Sequence, residues 1–348
     1  MSSADERLTP WALKGMPKID LHRHLEGSLR LETLFDIARQ YNNELPYRSL
    51  RQLRPLVQVV GSDPPDYELF LDKFKILRNF YRSPEIIQRV AYEAVADAAA
   101  DNIHYLEMRF SPQAQARACG YPLEDVTAWV VDSVQQAARD FKIQVGLIVT
   151  LVRHDPFDQA KLVADVAIKR AGNGIHGLDL AGDEVKFPLK PFMPIFDAAR
   201  SAGLGITVHA GEWASAESVK LALEELQPDR IGHGVRTIEN SRVVRMARKR
   251  GVAFEVCLTS NLQTGVVHKM DHHPLLDMMH LGLIATINTD DPCLSNITLT
   301  DEYQIAVDRL GFTYASLRQL ILNGATSAFL PADERRQLVA HFEKLLPA

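Results

Sequence analysis

The stretch IHGLDLAGDEVKFPLKPFMPIFDAARSAGLGITVHAG, residues 175–211, holds two short strand-like runs, IHGLDLAG (175–182) and GITVHAG (205–211). Between them PFMPIFDAARSAG (191–203) reads as a helix. Strand, helix and strand in this order make a crossover that returns the second strand parallel to the first. The rhythm extends in both directions. Strands are expected at KIDLHRHL (18–25), IHYLEMRF (103–110) and IQVGLIVTLV (143–152) before it, and at DRIGHG (229–234), VAFEVC (252–257) and LIATINTD (283–290) after it. Helices are expected at PEIIQRVAYEAVADAAADN (84–102), LEDVTAWVVDSVQQAARDF (123–141) and SAESVKLALEEL (215–226). Eight such units predict a closed (β/α)8 TIM barrel. The open doubly wound sheet is the weaker reading, because no GxGxxG turn follows the first strand.

The 348 residues suit one such barrel domain, 1–348, with insertions. Residues 26–102 are too many for one crossover, so extra helices are expected there. FLDKFKILRNFY (70–81) sets Phe70, Leu71, Phe74 and Leu77 at helical spacing, either as a core-facing stripe or as an apolar lid over the barrel mouth. Hydrophobic residues make up 46 %, enough for a large core. A net charge of −5 excludes a broad basic face for nucleic acid, and the short run RMARKR (245–250) reads as a solvated helix face. Cys119, Cys257 and Cys293 are odd in number and form no CxxC, which fits a reducing cytoplasm. The N-terminal MSSADERLTPWALKG has no apolar signal core, and no run approaches the ~18–20 apolar residues of a membrane span. A cytoplasmic protein, monomer or homo-oligomer, with a small-molecule partner is expected.

The chemistry-bearing side chains gather at strand ends. His22 and His24 lie near the end of the first strand, His209 ends the fifth, His233 ends the sixth, and Asp290 and Asp291 end the eighth. In a barrel these ends form one face, which carries the active site. Alternate strand residues share a side, so His22 and His24 both point into the mouth and Arg23 points away. One HxH is a weak signal, and His209 or His233 alone reads as well as a hydrogen-bonded core histidine. Three imidazoles and a carboxylate together form a ligand set for one divalent metal. Nitrogen-rich ligation without thiolate favours zinc, with iron or cobalt also suited. Neither DLAGDE nor VHAGE offers a lysine at its strand end to bridge two ions, and Lys186 lies in the loop beyond, so one metal is expected. Water activated at such a metal needs a base and an acid nearby. His233 and Asp291 are the spare candidates near that water, and Glu212, just past His209, is the spare acid. An enclosed carboxyl there would have a raised pKa. Read alone, Glu212 would also suit the dipole of the helix starting near Ser215.

HRHLEGS, LDLAGDE, HAGE, RIGHGVR, TSNLQTG and NTDDP, in this order, resemble the adenosine deaminase family of the amidohydrolase superfamily over nearly the whole chain. The resemblance implies a (β/α)8 barrel, one zinc, and hydrolytic removal of the 6-amino group of a purine. It implies zinc ligation by His22, His24, His209 and Asp290. Glu212 matches the acid that protonates purine N1, His233 the residue that orients or deprotonates the attacking water, and Asp291 the residue that bonds that water and N7. Gly182 matches the glycine whose amide contacts N3, and Phe70, Leu71 and Phe74 match the apolar lid helix. Ser260 matches a hydroxyl near the zinc aspartate. His24 and Glu26 complete the expected substrate-binding set. In the best-known members the residue at position 26 is aspartate, which binds the ribose 5′-hydroxyl; glutamate occurs in members acting on adenine or on larger nucleosides such as aminodeoxyfutalosine. Adenosine is therefore the first expected substrate, with 5′-substituted adenosines and then adenine behind it. A metal-dependent ester or lactone hydrolase is the alternative from another class. The cysteine-ligated deaminases of nucleic-acid bases are excluded, because no PCxxC occurs.

Overall fold

Runs rich in Val, Ile and Leu, buried on both faces, form eight parallel strands: β1 (Lys18–His24), β2 (Ile103–Phe110), β3 (Gln144–Val152), β4 (Ile175–Ala181), β5 (Gly205–Ala210), β6 (Arg230–His233), β7 (Ala253–Val256) and β8 (Ile284–Ile287). The computed structural model describes residues 8–41, 45 and 47–348; the first seven residues of the N-terminal stretch read above lie outside them. Each strand pairs with the next in sequence order, as a TIM barrel requires. The last seam is different. Asp290 N donates to His22 O at 2.7 Å, and His24 N donates to Asp290 O at 2.8 Å, so one residue beyond β8 bridges back to β1. Side chains complete the seam. Leu21 N donates to Asn288 Oδ1 at 2.8 Å, and Thr289 Oγ1 donates to Asp20 Oδ2 at 2.7 Å. The helix Tyr314–Ser327 packs across both strands and covers this join.

The expected strands run slightly too long at their C-terminal ends. Gly182, Gly211, Gly234 and Asp290 fall inside the expected runs but beyond the observed strands, with φ of +96°, +66°, +62° and +62°. A left-handed residue turns the chain out of the ladder, which hydrophobicity does not reveal. His233, the last residue of β6, also has φ of +57°. Non-glycine residues in this region are strained, and such strain concentrates at functional sites.

Three helices, Leu31–Gln40, Leu50–Val57 and Tyr67–Leu77, precede the crossover helix Pro84–Ala100. The helix expected over 70–81 starts earlier than its apolar spacing suggests, because Asp66 caps it: its Oδ1 accepts from Glu68 N at 2.8 Å and Leu69 N at 3.0 Å. It ends at Leu77 and tightens into a 3-10 turn, Arg78–Phe80. Phe70 and Leu77 are buried, while Leu71 and Phe74 are half-buried.

The barrel floor is ionic. Arg230 of β6 pairs with Glu107 of β2 and Glu255 of β7, all fully buried. Its guanidinium lies 3.5 Å from the centre of the Phe329 ring, which plugs the N-terminal end of the barrel. A Cβ on Gly205 would approach Phe329 to 2.3 Å, so only glycine in β5 leaves room for this plug. Removing one member of a buried ion cluster strands the others. Arg230→Met is expected to destabilise the fold by about 3–5 kcal/mol, read as a lower midpoint of urea unfolding.

Candidate metal centre and active site

The strands deliver the four expected ligands to one point. His22 and His24 come from alternate positions of β1, His209 from the penultimate residue of β5, and Asp290 from the bridge that closes the barrel. His22 Nε2 lies 3.2 Å from Asp290 Oδ1, His24 Nε2 lies 3.4 Å from the same oxygen, and the Nε2 atoms of His24 and His209 are 3.4 Å apart. Ligand atoms about 2.0–2.1 Å from a tetrahedral zinc are separated by about 3.3–3.4 Å, so these edges match. His22 Nε2 is buried and, among the described residues, has no hydrogen-bond partner, as a donor atom reserved for a cation would be. The residues present therefore fit a divalent metal.

The outer nitrogens explain why the inner ones are free. His22 Nδ1 lies 2.7 Å from Glu255 Oε2, and His209 Nδ1 lies 3.0 Å from Asp179 Oδ1. A ring that gives its Nδ1 proton to a carboxylate directs an Nε2 lone pair inward. Arg109 of β2 joins the two carboxylates, 2.7 Å from Glu255 and 3.2 Å from Asp179. Against the cost of burial, Arg109 and Arg230 hold Glu255 well below the usual carboxylate range. His209 and Arg109 likewise hold Asp179 ionised. Glu255, Asp179 and Arg109 were not singled out from the sequence. The signal was there, since each is a charged residue inside a run otherwise built like a buried strand.

A second set, His22, His233, Cys257 and Asp290, also lies close enough to share an ion. It fits less well. Burial pushes the Cys257 thiol up, so it stays protonated. His233 is committed elsewhere. Leu275 N donates to His273 Nδ1 at 3.1 Å, so the His273 proton is on Nε2, which faces Asn261 Oδ1 at 3.2 Å. The Asn261 amide N–H therefore faces His233 Nδ1, at 3.2 Å. A backbone N–H can only donate, so the direction of the whole relay is fixed. It leaves His233 with its proton on Nε2, pointing at Glu212 Oε1 (3.7 Å) and Asp290 Oδ2 (3.8 Å). Burial keeps this imidazole neutral, with its pKa well below the ordinary value.

Glu212 is held by its own turn. Glu184, two residues beyond Gly182, accepts the amides of Gly211 (2.9 Å), Glu212 (2.8 Å), Trp213 (2.6 Å) and Ala214 (2.9 Å). Its carboxylate also takes the Ser218 hydroxyl. Burial first, then the charges of Asp290 and Glu184, push the Glu212 carboxyl well above the usual range. The Asp291 carboxyl is pushed up by burial and by Asp290, Glu26 and Glu212, and its Oδ1 has no partner among the described residues. Gly27 permits this placement: a Cβ there would come within 1.9 Å of Asp291 Oδ1.

The family model for adenosine deaminase matches residues 17–345. The chain belongs to the adenosine deaminase family. It is 40 % identical over 330 residues to the adenosine deaminase of Klebsiella pneumoniae strain 342, covering 94 % of this chain and 98 % of that one. Among solved structures, the adenine deaminase of Arthrobacter aurescens superposes with a TM-score of 0.88 at 28 % identity, covering 96 % of this chain and all of that one. An amidohydrolase from Burkholderia ambifaria with bound zinc superposes with a TM-score of 0.87 at 27 % identity, covering 98 % and 96 %. This is a metal-dependent family of hydrolytic deaminases acting on small purines, and the His–Asp cluster is where the chain would hold its ion.

Gly182 turns away from the end of β4. Ser260 is buried, and its hydroxyl has no partner among the described residues. Glu26 is buried, and its Oε1 accepts from Ser111 N at 2.8 Å. The helix bearing Phe70, Leu71 and Phe74 is tied to the far side of the mouth. Tyr67 stacks on Trp213 with ring centres 4.8 Å apart, and Lys186 pairs with Glu68 at 2.6 Å. Trp213 is thus half-buried in a clasp. Among the described residues no helix is long and apolar enough to cross a membrane. Carboxylates behind metal-ligating histidines typically govern affinity by ~10–100-fold. Asp179→Asn is expected to weaken metal binding by that factor with the fold retained, measured by chelator competition.

Proposed function

We propose that the protein is a zinc-dependent aminohydrolase that replaces the 6-amino group of a purine nucleoside, adenosine first, with oxygen and releases ammonia. The observation that carries this reading is the raised Glu212 carboxyl facing a neutral His233 across the edge of a His–His–His–Asp cluster. An ester or lactone hydrolase has no need of an acid kept protonated at this place.

His22, His24, His209 and Asp290 would hold the zinc, which when bound supplies a Lewis acid that brings water to nucleophilic strength near neutral pH. His233, with its proton fixed on Nε2, donates to the attacking oxygen and orients it. It is a poor base in this tautomer, so of the two roles carried by the resemblance the orienting one is favoured. Glu212 delivers its proton to N1 as the C6–O bond forms, so that negative charge does not accumulate on the ring. The C6–N6 bond then breaks as the proton on the added oxygen passes to N6, so that the amine leaves as ammonia and C6 becomes a carbonyl; the other proton of the attacking water restores the Glu212 carboxyl. Asp291, also held protonated, donates to N7, and the Gly182 amide faces N3. A divalent cation offsets the Asp290 charge that helps raise Glu212, but burial, the larger cause, persists. Phe70, Leu71 and Phe74 cover the base and exclude water.

Glu26 supports a second substrate reading: an adenosine substituted at its 5′ position, or adenine. Its carboxylate already accepts from Ser111 N, so it meets a sugar hydroxyl with one oxygen rather than two. Turnover of adenosine, adenine and 5′-substituted adenosines, followed by ultraviolet absorbance, separates these substrates; adenine as the only good one would overturn the nucleoside reading.

Glu212→Gln is expected to lower kcat by ~10²–10⁴-fold with zinc content unchanged; loss of metal would make Glu212 a ligand instead. Because its raised pKa keeps Glu212 protonated at neutral pH, the donor is lost only as pH climbs through that value. The wild-type log kcat/KM is therefore expected to fall at alkaline pH with a slope approaching −1, read from a steady-state pH profile.

A further inference from the structure

Glu302 is a fully buried acid that the chemistry above does not use. It stands on the helix Leu299–Leu310 and reaches across to the turn that follows β7. Its Oε2 accepts from Leu258 N at 2.7 Å and its Oε1 from Thr259 N at 3.1 Å, and the Thr259 hydroxyl lies against the same Oε1. Burial pushes this carboxyl up to about 8, and no cation among the described residues counters it. An acid buried without a cation is costly, and an apolar side chain would pack there at less cost.

The amides it takes are the first two of the short helix Leu258–Gln263. Cys257 stands at the N-cap position, and no side chain of the turn bonds to the free amides. A serine, threonine or aspartate at 257 would cap the helix locally. Here it is capped from a distant helix instead, and so is fastened to the helix Leu299–Leu310. A helix this short has little rigidity of its own, so its direction depends on what holds its ends. At the far end Asp66 N donates to Gln263 O at 3.0 Å, and the Ser295 hydroxyl donates to Gln263 Oε1 at 2.8 Å.

This helix carries Asn261, whose amide sets the proton of His233. The preceding member of that relay, His273, follows the 3-10 turn Met270–His272, which also packs on the helix Leu299–Leu310. Arg309 of that helix pairs with Asp271 of the turn at 2.7 Å. One helix is therefore the common base for Asn261 and His273. Its own start is fixed by the Thr298–Asp301 capping box and by Thr300 N donating to Asp101 Oδ2 at 2.9 Å. The Arg309–Asp271 pair is exposed and holds little, which leaves Glu302 as the buried fastening. Glu184 acts in the same manner on the other side of the site, where a remote carboxylate collects consecutive amides of the turn that carries Glu212.

We propose that Glu302 is a positioning residue for the reaction: by fastening Leu258 and Thr259 to the helix Leu299–Leu310, it holds Asn261 where it keeps His233 in its Nε2-protonated form. The part this gives His233 in turnover rests on the deaminase reading above; the placement of the His233 proton does not. Glu302 acts through two other residues and has no contact with the purine. The fastening does not depend on its charge, because a protonated carboxyl keeps a bare oxygen for the amides and gives its proton to the Thr259 hydroxyl.

The test is a double-mutant cycle on the zinc-loaded full-length chain, with Glu302→Met, Asn261→Ala and both together. Glu302→Met fills the space but accepts no hydrogen bond. It is expected to lower kcat for adenosine by ~10²-fold, the cost of a misplacement of about 1 Å, with KM changed little. Glu302→Gln, which keeps one acceptor oxygen, should retain most of kcat. In the Asn261→Ala background Glu302→Met should add almost nothing. Nitrogen NMR of the histidine rings should show a proton on His233 Nε2 in the wild type and a mixture of tautomers in Glu302→Met. A loss that adds in full to that of Asn261→Ala, or an unchanged His233 tautomer in Glu302→Met, overturns the assignment. Should Glu302→Met fail to fold, the cycle is run with Glu302→Asp, one methylene shorter: a loss shared with Asn261→Ala supports the assignment, and an additive loss or none overturns it. If no 6-aminopurine is turned over, the deaminase reading fails, and the His233 tautomer alone then decides the role of Glu302.

Discussion

The short contact between Glu255 and His22 is the constraint on which the centre of this protein depends. One buried carboxylate on β7 accepts from an imidazole on β1, from Arg109 on β2 and from Arg230 on β6, and it also takes the Thr207 hydroxyl on β5. It therefore fixes the tautomer of a candidate metal ligand and balances the charge of the barrel floor together. Its two arginines keep it ionised where an isolated carboxylate would take up a proton. Above it the histidines present lone pairs, and below it the ion cluster locks strands that are distant in sequence.

Much of this was legible in the sequence because it follows from period and position. Strand and helix runs alternated cleanly enough to announce eight parallel units, and each lettered block at a strand end landed on the same face. His22, His24, His209 and Asp290 converge because the barrel gathers the ends of β1, β5 and β8. The residues behind them were harder to read. Glu255, Asp179 and Arg109 sit inside strands, where a charge gives no hint of its partner until the register is known. The strand ends were overrun wherever a left-handed residue turned the chain, as at Gly182 and Asp290, since backbone sign leaves no hydrophobic trace. The Asp66 cap shifted the lid helix from its apolar pattern in the same way.

The protons of the candidate site are placed by groups that stand behind it. Leu275 N sets His273, His273 sets Asn261, and Asn261 sets His233. Glu184 gathers consecutive amides and holds the Glu212 turn in place, while its charge adds to the pressure on the Glu212 carboxyl. Position and acidity are thus supplied by the same group. Preorganisation of this kind spares the reaction the cost of rearranging dipoles as charge develops.

Asp290 has two jobs that cannot be separated. Its main chain is the rung that joins the first and last strands, and its side chain is offered to the metal. A cylinder has no natural beginning, yet a chain that forms one must fasten its two ends somewhere. Here the fastening is done by a residue whose carboxylate is free to take an ion. Whatever binds at the centre thus acts as a buckle on the hoop, and by mass action the occupancy of the site and the integrity of the ring rise and fall together.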